Sequence, residues 1–243
     1  MGRAVVEAAR GLEDMVIAQG VERPGHPDIG KPFEQGELAG RLEDVLDLVD
    51  AVVDFALPEG CELRAQLAAG SGKAYVTGIT GLSPEQVKAL GQAGVKAPVV
   101  YAPNFSHGVN LLYRLAQDAA KSLGPDYDIE VLETHHRHKE DAPSGTARKL
   151  VEILSKASSA REVVHGREGK TGEKPLRQIG VSSVRTGDVV GEHTVVFGGP
   201  GERIELTHRA GSRQAFAAGV IAAVRFVRGR KPGFYSMSDV LGL

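Results

Sequence analysis

A run of basic side chains at residues 135 to 139 is the feature of this sequence most able to do chemistry. Its members are His135, His136, Arg137, His138 and Lys139. Like charges crowded into five positions cost free energy unless an anion or a reaction uses them. A histidine donates or accepts a proton near neutral pH, and a lysine can do the same in a suitable environment. The run therefore contains candidate proton donors.

A helix is predicted to begin shortly after this run, at Ser144, Gly145 and Thr146. The apolar residues that follow recur at helical spacing: Ala147, Leu150, Val151 and Leu154. The N-terminus of a helix offers N–H donors and the positive end of a dipole, and glycine allows close approach to the backbone. Gly145 and Thr146 could therefore bind a carboxylate. The two features together favour a site for a small polyanion, and a dicarboxylate is the best candidate.

A metal site is the alternative reading of the histidine run. If the run continues a strand, His135 and Arg137 lie on one face and His136 and His138 on the other. Side chains on opposite faces of a strand cannot coordinate one metal ion, so this spacing disfavours a zinc site. A metal-dependent hydrolase stays a second hypothesis, and metal analysis of the purified protein would test it.

Three further candidate groups follow predicted strands in the first half of the chain. Glu22 and Arg23 follow an apolar run at 15–18, and Gly78, Ile79 and Thr80 end a strand at 74–78. The third group, after a strand at 98–101, is Ala102, Pro103, Asn104 and Phe105. In parallel sheets ligands bind beyond the carboxyl ends of the strands. At such a strand end an acidic residue can accept a hydrogen bond from a ribose hydroxyl, and an arginine can pair with a 2′-phosphate. Taken without the other groups, Glu22 and Arg23 also suit a solvated charge pair in a loop.

The order of predicted elements divides the chain into two domains. Strands and helices alternate before residue 105, which indicates βαβ units and a parallel sheet. Later, strand-like runs at 178–184, 189–197 and 203–208 suggest an antiparallel meander, and a final helix capped by Ser212 is expected to rejoin the first domain. The fold class is α/β: residues 1–105 and 212–243 form a dinucleotide-binding domain. Residues 106–211 are predicted to form an α+β domain, with a largely antiparallel sheet, for substrate binding.

Bulk composition narrows the class of protein. A net charge of −2 gives no overall attraction to nucleic acid or anionic membranes. The sequence has one cysteine, so no intrachain disulfide forms, and it has no apolar run long enough to span a membrane. We expect a cytoplasmic protein with neither nucleic-acid nor membrane partners.

The segment from Glu133 to Ala147, ETHHRHKEDAPSGTA, closely resembles the signature of the bacterial dihydrodipicolinate reductase family. The resemblance extends along the chain and includes the three strand-end groups and residues 183–194. It implies a Rossmann-like nucleotide-binding domain and reduction of 4-hydroxy-tetrahydrodipicolinate by NADH or NADPH. The product is tetrahydrodipicolinate, water is lost, and the step belongs to lysine and diaminopimelate biosynthesis. The resemblance also implies a homotetramer built through the sheet of the second domain.

The same resemblance implies roles for individual residues. His135 would be the proton donor and acceptor and Lys139 a proton donor. His136, Gly145 and Thr146 would bind the cyclic dicarboxylate. Glu22 and Arg23 would bind the adenosine ribose and its phosphate, and the other two strand-end groups would line the rest of the cofactor groove.

The start of the sequence departs from the family pattern. Members of the family begin with a strand and a glycine-rich turn, whereas this sequence begins at the Met-Gly-Arg that would follow them. A relative with impaired cofactor binding is therefore a further hypothesis. Titration of NADPH against this chain and against a form extended upstream would test it.

Overall fold

The chain divides into two compact units. The structure is a computed structural model that describes residues 1–158, 160 and 162–243. Unit 1 comprises Met1–Phe105 and Phe216–Gly242, and unit 2 comprises Ser106–Ala215 with Leu243. Each unit has a sheet and a hydrophobic core of its own. None of the described helices is long and apolar enough to cross a membrane.

In the described residues, seven α-helices and twelve strands are numbered in chain order. The helices are α1 (Gly2–Ala9), α2 (Cys61–Gly70), α3 (Pro84–Ala93), α4 (His107–Leu123), α5 (Gly145–Ala157), α6 (Gln214–Val227) and α7 (Met237–Leu241). The strands in unit 1 are β1 (Gly20–Val21), β2 (Pro32–Phe33), β3 (Gly36–Ala39), β4 (Ala51–Asp54), β5 (Ala74–Thr77), β6 (Pro98–Tyr101) and β12 (Gly233–Tyr235). Those in unit 2 are β7 (Asp128–His135), β8 (Glu162–His165), β9 (Gln178–Arg185), β10 (Gly191–Gly199) and β11 (Glu202–Ala210).

The main sheet of unit 1 is parallel and is covered on both faces. Its strands lie in the order β12-β6-β5-β4. Side chains alternate along β5: Val76 packs with α1, α6 and α7, while Tyr75 packs with α2 and α3. Because parallel strands buried on both faces need apolar side chains on both, β5 and β6 are short continuous apolar runs.

Two sequence predictions in unit 1 were wrong in detail. Residues 15–18 are not a strand: the strand at this point is β1, which pairs with β3 in a small sheet of order β1-β3-β2. An apolar run becomes a strand only when a neighbour accepts and donates its ladder hydrogen bonds, and in the described residues no ladder includes 15–18. The spacing of Leu42, Val45, Leu46 and Leu48 also predicts a helix, but the chain forms only a 3₁₀ helix, at Leu46–Leu48.

Unit 2 is a five-stranded sheet with helices on one face. The order is β11-β10-β7-β9-β8, with α4 and α5 packed on one side. The core between helices and sheet contains Leu112, Ala116, Ile129, Val131, Leu150, Leu154, Ile179, Val181, Val195 and Phe197. The opposite face is open: Leu132 is 42% exposed and Val184 is 49% exposed.

The fold class predicted from the sequence is confirmed. The predicted antiparallel meander of three strands was wrong for its first strand, β9. β10 and β11 form the expected antiparallel hairpin. β9 does not join them, because β7 lies between β10 and β9 and pairs parallel with β9. β8, which the sequence reading did not include, also pairs parallel with β9.

Candidate active site

The helix-facing side of β7 changes from apolar to polar along its length. Ile129 and Val131 belong to the core, and the next two residues on that side are Glu133 and His135. Both are buried: the side chain of Glu133 is 0% exposed and that of His135 is 11% exposed. The strand therefore ends in an ionisable pair beneath the helix layer.

Glu133 is surrounded by donors. Arg185 on β9 donates to both carboxylate oxygens, over 2.9 Å and 2.8 Å. The Ser144 N–H donates over 3.2 Å, and Nδ1 of His135 lies 2.5 Å from Oε2. Burial alone would raise the pKa of Glu133, but hydrogen bonds from Arg185, Ser183 and His135 lower it to about 2. The group is therefore a carboxylate at neutral pH.

Arg185 also fixes the loop that follows β7. Its guanidinium donates to the main-chain carbonyls of Lys139, over 3.3 Å, and Asp141, over 2.7 Å. β7 ends at His135, so residues 136–138 lie in a turn and not on a strand. The two-face argument for His136 and His138 was therefore wrong, and their rings lie 6.2 Å apart. Within the part of the chain that the structure describes, no group of three or more His, Cys, Asp or Glu is placed to hold a metal ion.

The N-terminus of α5 is attached to the same cluster through Ser144. The Ser144 side chain accepts from the Ala147 N–H over 3.2 Å, which caps the helix, and lies 3.0 Å from Nε2 of His193 on β10. The ring of His193 meets that of His135 edge to face at 5.1 Å. Burial lowers the pKa of His193 to about 3, so this imidazole is neutral and serves in packing and capping.

The predicted substrate residues of unit 2 are partly accessible. Lys139 is half-buried and its Nζ donates to Asp141 over 2.6 Å. His136, Gly145 and Thr146 are also half-buried. A methyl group built on Gly145 would stand 3.8 Å from the guanidinium of Arg148, so a side chain could be admitted at this position.

In unit 1 the second and third strand-end groups lie side by side. The Ala102 N–H donates to the carbonyl of Thr77, over 3.2 Å, and Gly78 follows Thr77 directly. Gly78 and Asn104 are half-buried and Thr80 and Pro103 are exposed. The side chains of Ile79, Ala102 and Phe105 are buried in the two cores, so only their main chain is available to a ligand.

Phe55 is a neighbour of these groups that the sequence reading missed. Its ring packs on Gly78, where a methyl group would stand 2.1 Å from Cε1, and meets Phe105 edge to face at 5.7 Å. The available signal was its position, because Phe55 directly follows β4 just as Gly78 follows β5. A buried network holds the turn after Phe55: Asp54 accepts from the Ala56 N–H over 2.8 Å and from Nε of Arg64 over 2.5 Å.

Glu22 and Arg23 lie on the smaller sheet of unit 1. Both are exposed, and the Glu22 N–H donates to the carbonyl of Ala39 over 2.9 Å. They follow β1 directly. Their side chains are thus free of the core and available to a polar ligand.

The residues of unit 1 fit a dinucleotide. Gly78 presents its main chain beside an aromatic ring, and Thr80, Pro103 and Asn104 are accessible at the carboxyl ends of adjacent parallel strands. Flat rings and main-chain polar groups suit the planar rings and sugar hydroxyls of a pyridine nucleotide.

A doubly covered parallel sheet with accessible turns at its strand ends, in a chain whose other unit carries a buried histidine–carboxylate pair, is typical of a nicotinamide-dependent oxidoreductase. The chain belongs to the dihydrodipicolinate reductase family: the family model "Dihydrodipicolinate reductase, N-terminus" matches residues 1–105, and "Dihydrodipicolinate reductase, C-terminus" matches residues 108–241.

Similar proteins cover the whole chain. A 4-hydroxy-tetrahydrodipicolinate reductase from Alkalilimnicola ehrlichii is 46% identical over 257 residues, which span 100% of this chain and 95% of the relative. The reductase from Aquifex aeolicus is 45% identical over 253 residues, with the same coverage of both chains. Among solved structures, a dipicolinate-bound dihydrodipicolinate reductase from Paenisporosarcina sp. TG-14 has a TM-score of 0.80 and 25% identity. It covers 97% of this chain, which in turn covers 92% of it.

Proposed function

We propose that this chain catalyses the NAD(P)H-dependent reduction of 4-hydroxy-tetrahydrodipicolinate to tetrahydrodipicolinate, with loss of water, in lysine and diaminopimelate biosynthesis. The observation that carries the proposal is the buried Glu133–His135 pair beside the N-terminus of α5. It joins a proton-transferring group to a carboxylate-binding helix end, which are the two features that reduction of a cyclic dicarboxylate requires of the substrate unit.

Unit 2 binds the substrate in this proposal. His135 is the proton donor and acceptor, and Lys139 is a second proton donor. His136 contacts the substrate, and the α5 N-terminus at Gly145 and Thr146 binds one carboxylate. The partial exposure of Lys139, Gly145 and Thr146 supports these assignments.

Unit 1 binds the reduced pyridine nucleotide, which supplies the hydride when bound. Glu22 and Arg23 bind the adenosine ribose and its phosphate. The turns that line the groove are those at Gly78, Ile79 and Thr80 and at Ala102, Pro103, Asn104 and Phe105. Because Glu22 suits a free ribose hydroxyl and Arg23 suits a 2′-phosphate, both NADH and NADPH are expected to serve.

Two further properties stay predictions. We expect a homotetramer that buries the open face of the unit 2 sheet, because exposed apolar side chains such as Leu132 and Val184 lie there. We also expect the enzyme to act in the cytoplasm, where its substrate would be made.

The function is tested by following the oxidation of NADH and NADPH in the presence of 4-hydroxy-tetrahydrodipicolinate. Substitution His135→Ala should lower turnover about 10²- to 10⁴-fold, the usual contribution of a general acid or base. Binding of NADPH, measured by calorimetry, should be unchanged, since His135 belongs to unit 2.

His165→Ala is the matched control, because His165 is an exposed histidine of the same unit, on β8. It should leave turnover at the unmodified level. Wild-type turnover by His135→Ala would contradict the assignment of His135. Absence of substrate-dependent oxidation by the unmodified chain would contradict the function.

A further inference from the structure

The carboxylate of Glu133 makes more hydrogen bonds than an ion pair with Arg185 requires. It accepts from two nitrogens of Arg185, from the Ser144 N–H and from His135. These donors come from β9, from the residue that caps α5 and from β7 itself. Three elements thus fix the position of one buried carboxylate, and His135 is the only imidazole among its hydrogen-bond partners in the described residues.

This arrangement determines which nitrogen of His135 carries a permanent proton. An ionised carboxylate only accepts hydrogen bonds. Nδ1 of His135, 2.5 Å from Glu133, must therefore donate whether the ring is neutral or charged. The atom that gains and loses a proton is then Nε2.

The space beside Nε2 depends on a glycine. A methyl group built on Gly191 of β10 would stand 3.0 Å from Nε2 and 3.3 Å from Cδ2. A side chain at this position would crowd the edge of the ring that Glu133 does not use. Glycine keeps that edge uncovered.

We propose that Glu133 is a positioning residue: it holds His135 with Nδ1 protonated, so that Nε2 is the atom that exchanges a proton with the substrate. Arg185 keeps Glu133 in place and ionised. Proton exchange between Nε2 and the substrate rests on the proposed function, whereas the protonation of Nδ1 does not.

The charges around His135 show what Glu133 contributes. Burial is the largest cause that lowers the pKa of His135, and Lys139 and Arg185 lower it further. Glu133 opposes all three. His193, the other titratable ring packed against His135, is neutral. Loss of the carboxylate would leave His135 facing two cations, so its pKa would fall.

The first test needs no substitution. Nitrogen-15 NMR of the histidine rings in the ligand-free chain distinguishes the two neutral tautomers. We expect His135, assigned by comparison with His135→Ala, to carry its proton on Nδ1 at a pH above its pKa. A proton on Nε2 instead would overturn the proposal, even if the enzyme proved fully active.

The second test is Glu133→Gln. Turnover should fall by between about 10-fold and 10⁴-fold, the range for partners that orient a functional histidine, while the KM for NADPH stays unchanged. The pKa of His135 in NMR titration should fall, and the limb of the pH–rate profile that follows His135 should move to lower pH. Glu152→Gln, which removes a carboxylate paired with Lys149 and Lys156 on α5, is the control and should change neither.

The two tests separate the proposal from a purely structural ion pair. If Glu133 only stabilised the fold, Glu133→Gln would lower stability but leave the titration of His135 and the pH profile in place, and the proposal would fail. If the variant does not fold, the tautomer in the unmodified chain decides. If the tautomer is as expected but the chain does not reduce 4-hydroxy-tetrahydrodipicolinate, the proposed function fails and the positioning of His135 stands.

Discussion

Burial lowers the pKa of three histidines on the helix-facing side of the unit 2 sheet. They are His135 on β7, His193 on β10 and His208 on β11, and burial is the largest cause that lowers the pKa of each. His193 and His208 are direct cross-strand partners, and His208 lies 3.2 Å from the Ser106 hydroxyl. With a pKa of about 3, the His193 imidazole is neutral at neutral pH.

This neutrality predicts a loss of stability in acid. The folded pKa of His193, about 3, lies below the ordinary value of 6.5, so the unfolded chain takes up a proton first as the pH falls. The free energy of unfolding should drop by about 2 kcal/mol between pH 6.5 and 5 from His193 alone. Glu133 adds a further loss as the pH falls from 4.5 towards about 2. Urea unfolding at a series of pH values measures both.

The matched pair for this prediction is His193→Gln and His165→Gln. Glutamine at 193 can still bond Ser144 but does not titrate, so the slope of stability with pH between 6.5 and 5 should become shallower. His165 is exposed, and its replacement should leave the slope as it is. If the slope of stability with pH were equal in the unmodified protein, His193→Gln and His165→Gln, burial of His193 would not control stability in acid.

At the scale of elements, α6 positions the turn that follows β6. Gly219 of α6 lies directly against the Phe105 carbonyl: a methyl group on Gly219 would be 1.7 Å from that oxygen. The helix reaches this distance only because glycine has no side chain. A helix more than a hundred residues later in the sequence thus packs directly against the turn at 102–105. We assign this turn to cofactor binding.

Gly219→Ala should therefore destabilise the protein, by about 1–3 kcal/mol in thermal or urea unfolding, because backbone must move to admit the methyl group. Displacement of the turn should also weaken binding of NADPH. Gly91→Ala in α3 is the control, since a methyl group there meets no heavy atom within 4 Å. It should stabilise by about 0.5–1 kcal/mol through its higher helix propensity. If Gly219→Ala left the free energy of unfolding unchanged, α6 would be able to shift without loss of stability, and the prediction would be wrong.

The open face of the unit 2 sheet exposes apolar side chains on two paired strands. Its central strand β7 presents Leu132, and Val184 lies on the neighbouring β9. Across the sheet the Thr194 and Thr207 hydroxyls lie 3.0 Å apart on the same side. A sheet face that mixes exposed apolar and hydroxyl side chains suits contact with another copy of the chain.

Leu132→Glu should disrupt the proposed tetramer. The unmodified protein is expected to sediment as four copies of the 25.7 kDa chain, and the variant as smaller species, because a charge buried at an interface lacks a partner. Leu63→Glu, at an exposed position of α2 in unit 1, should leave the assembly unchanged. A tetramer that survives Leu132→Glu would exclude this face as the interface.

The sequence predicted most of the elements because their signals are local. The apolar runs of β5 and β6 and the Ser-Pro start of α3 depend on neighbouring residues, and the capping box at Ser83 is present as its pattern implies. The sequence misplaced β9 and the segment 15–18 because strand pairing is a long-range property. The residues of an apolar run do not determine which other strand will form hydrogen bonds with it.

For the site, the amino-acid sequence was enough to identify the chemical groups: a basic run, a helix start and three groups at strand ends. Those features depend on residue types and short spacings along the chain. The folded chain was needed to show that Glu133 on β7, Arg185 on β9 and His193 on β10 surround His135, and that Phe55 packs on Gly78. Residues 133 and 185 meet because β7 and β9 pair in one register, and a register is set by the burial of whole faces, which no single motif encodes.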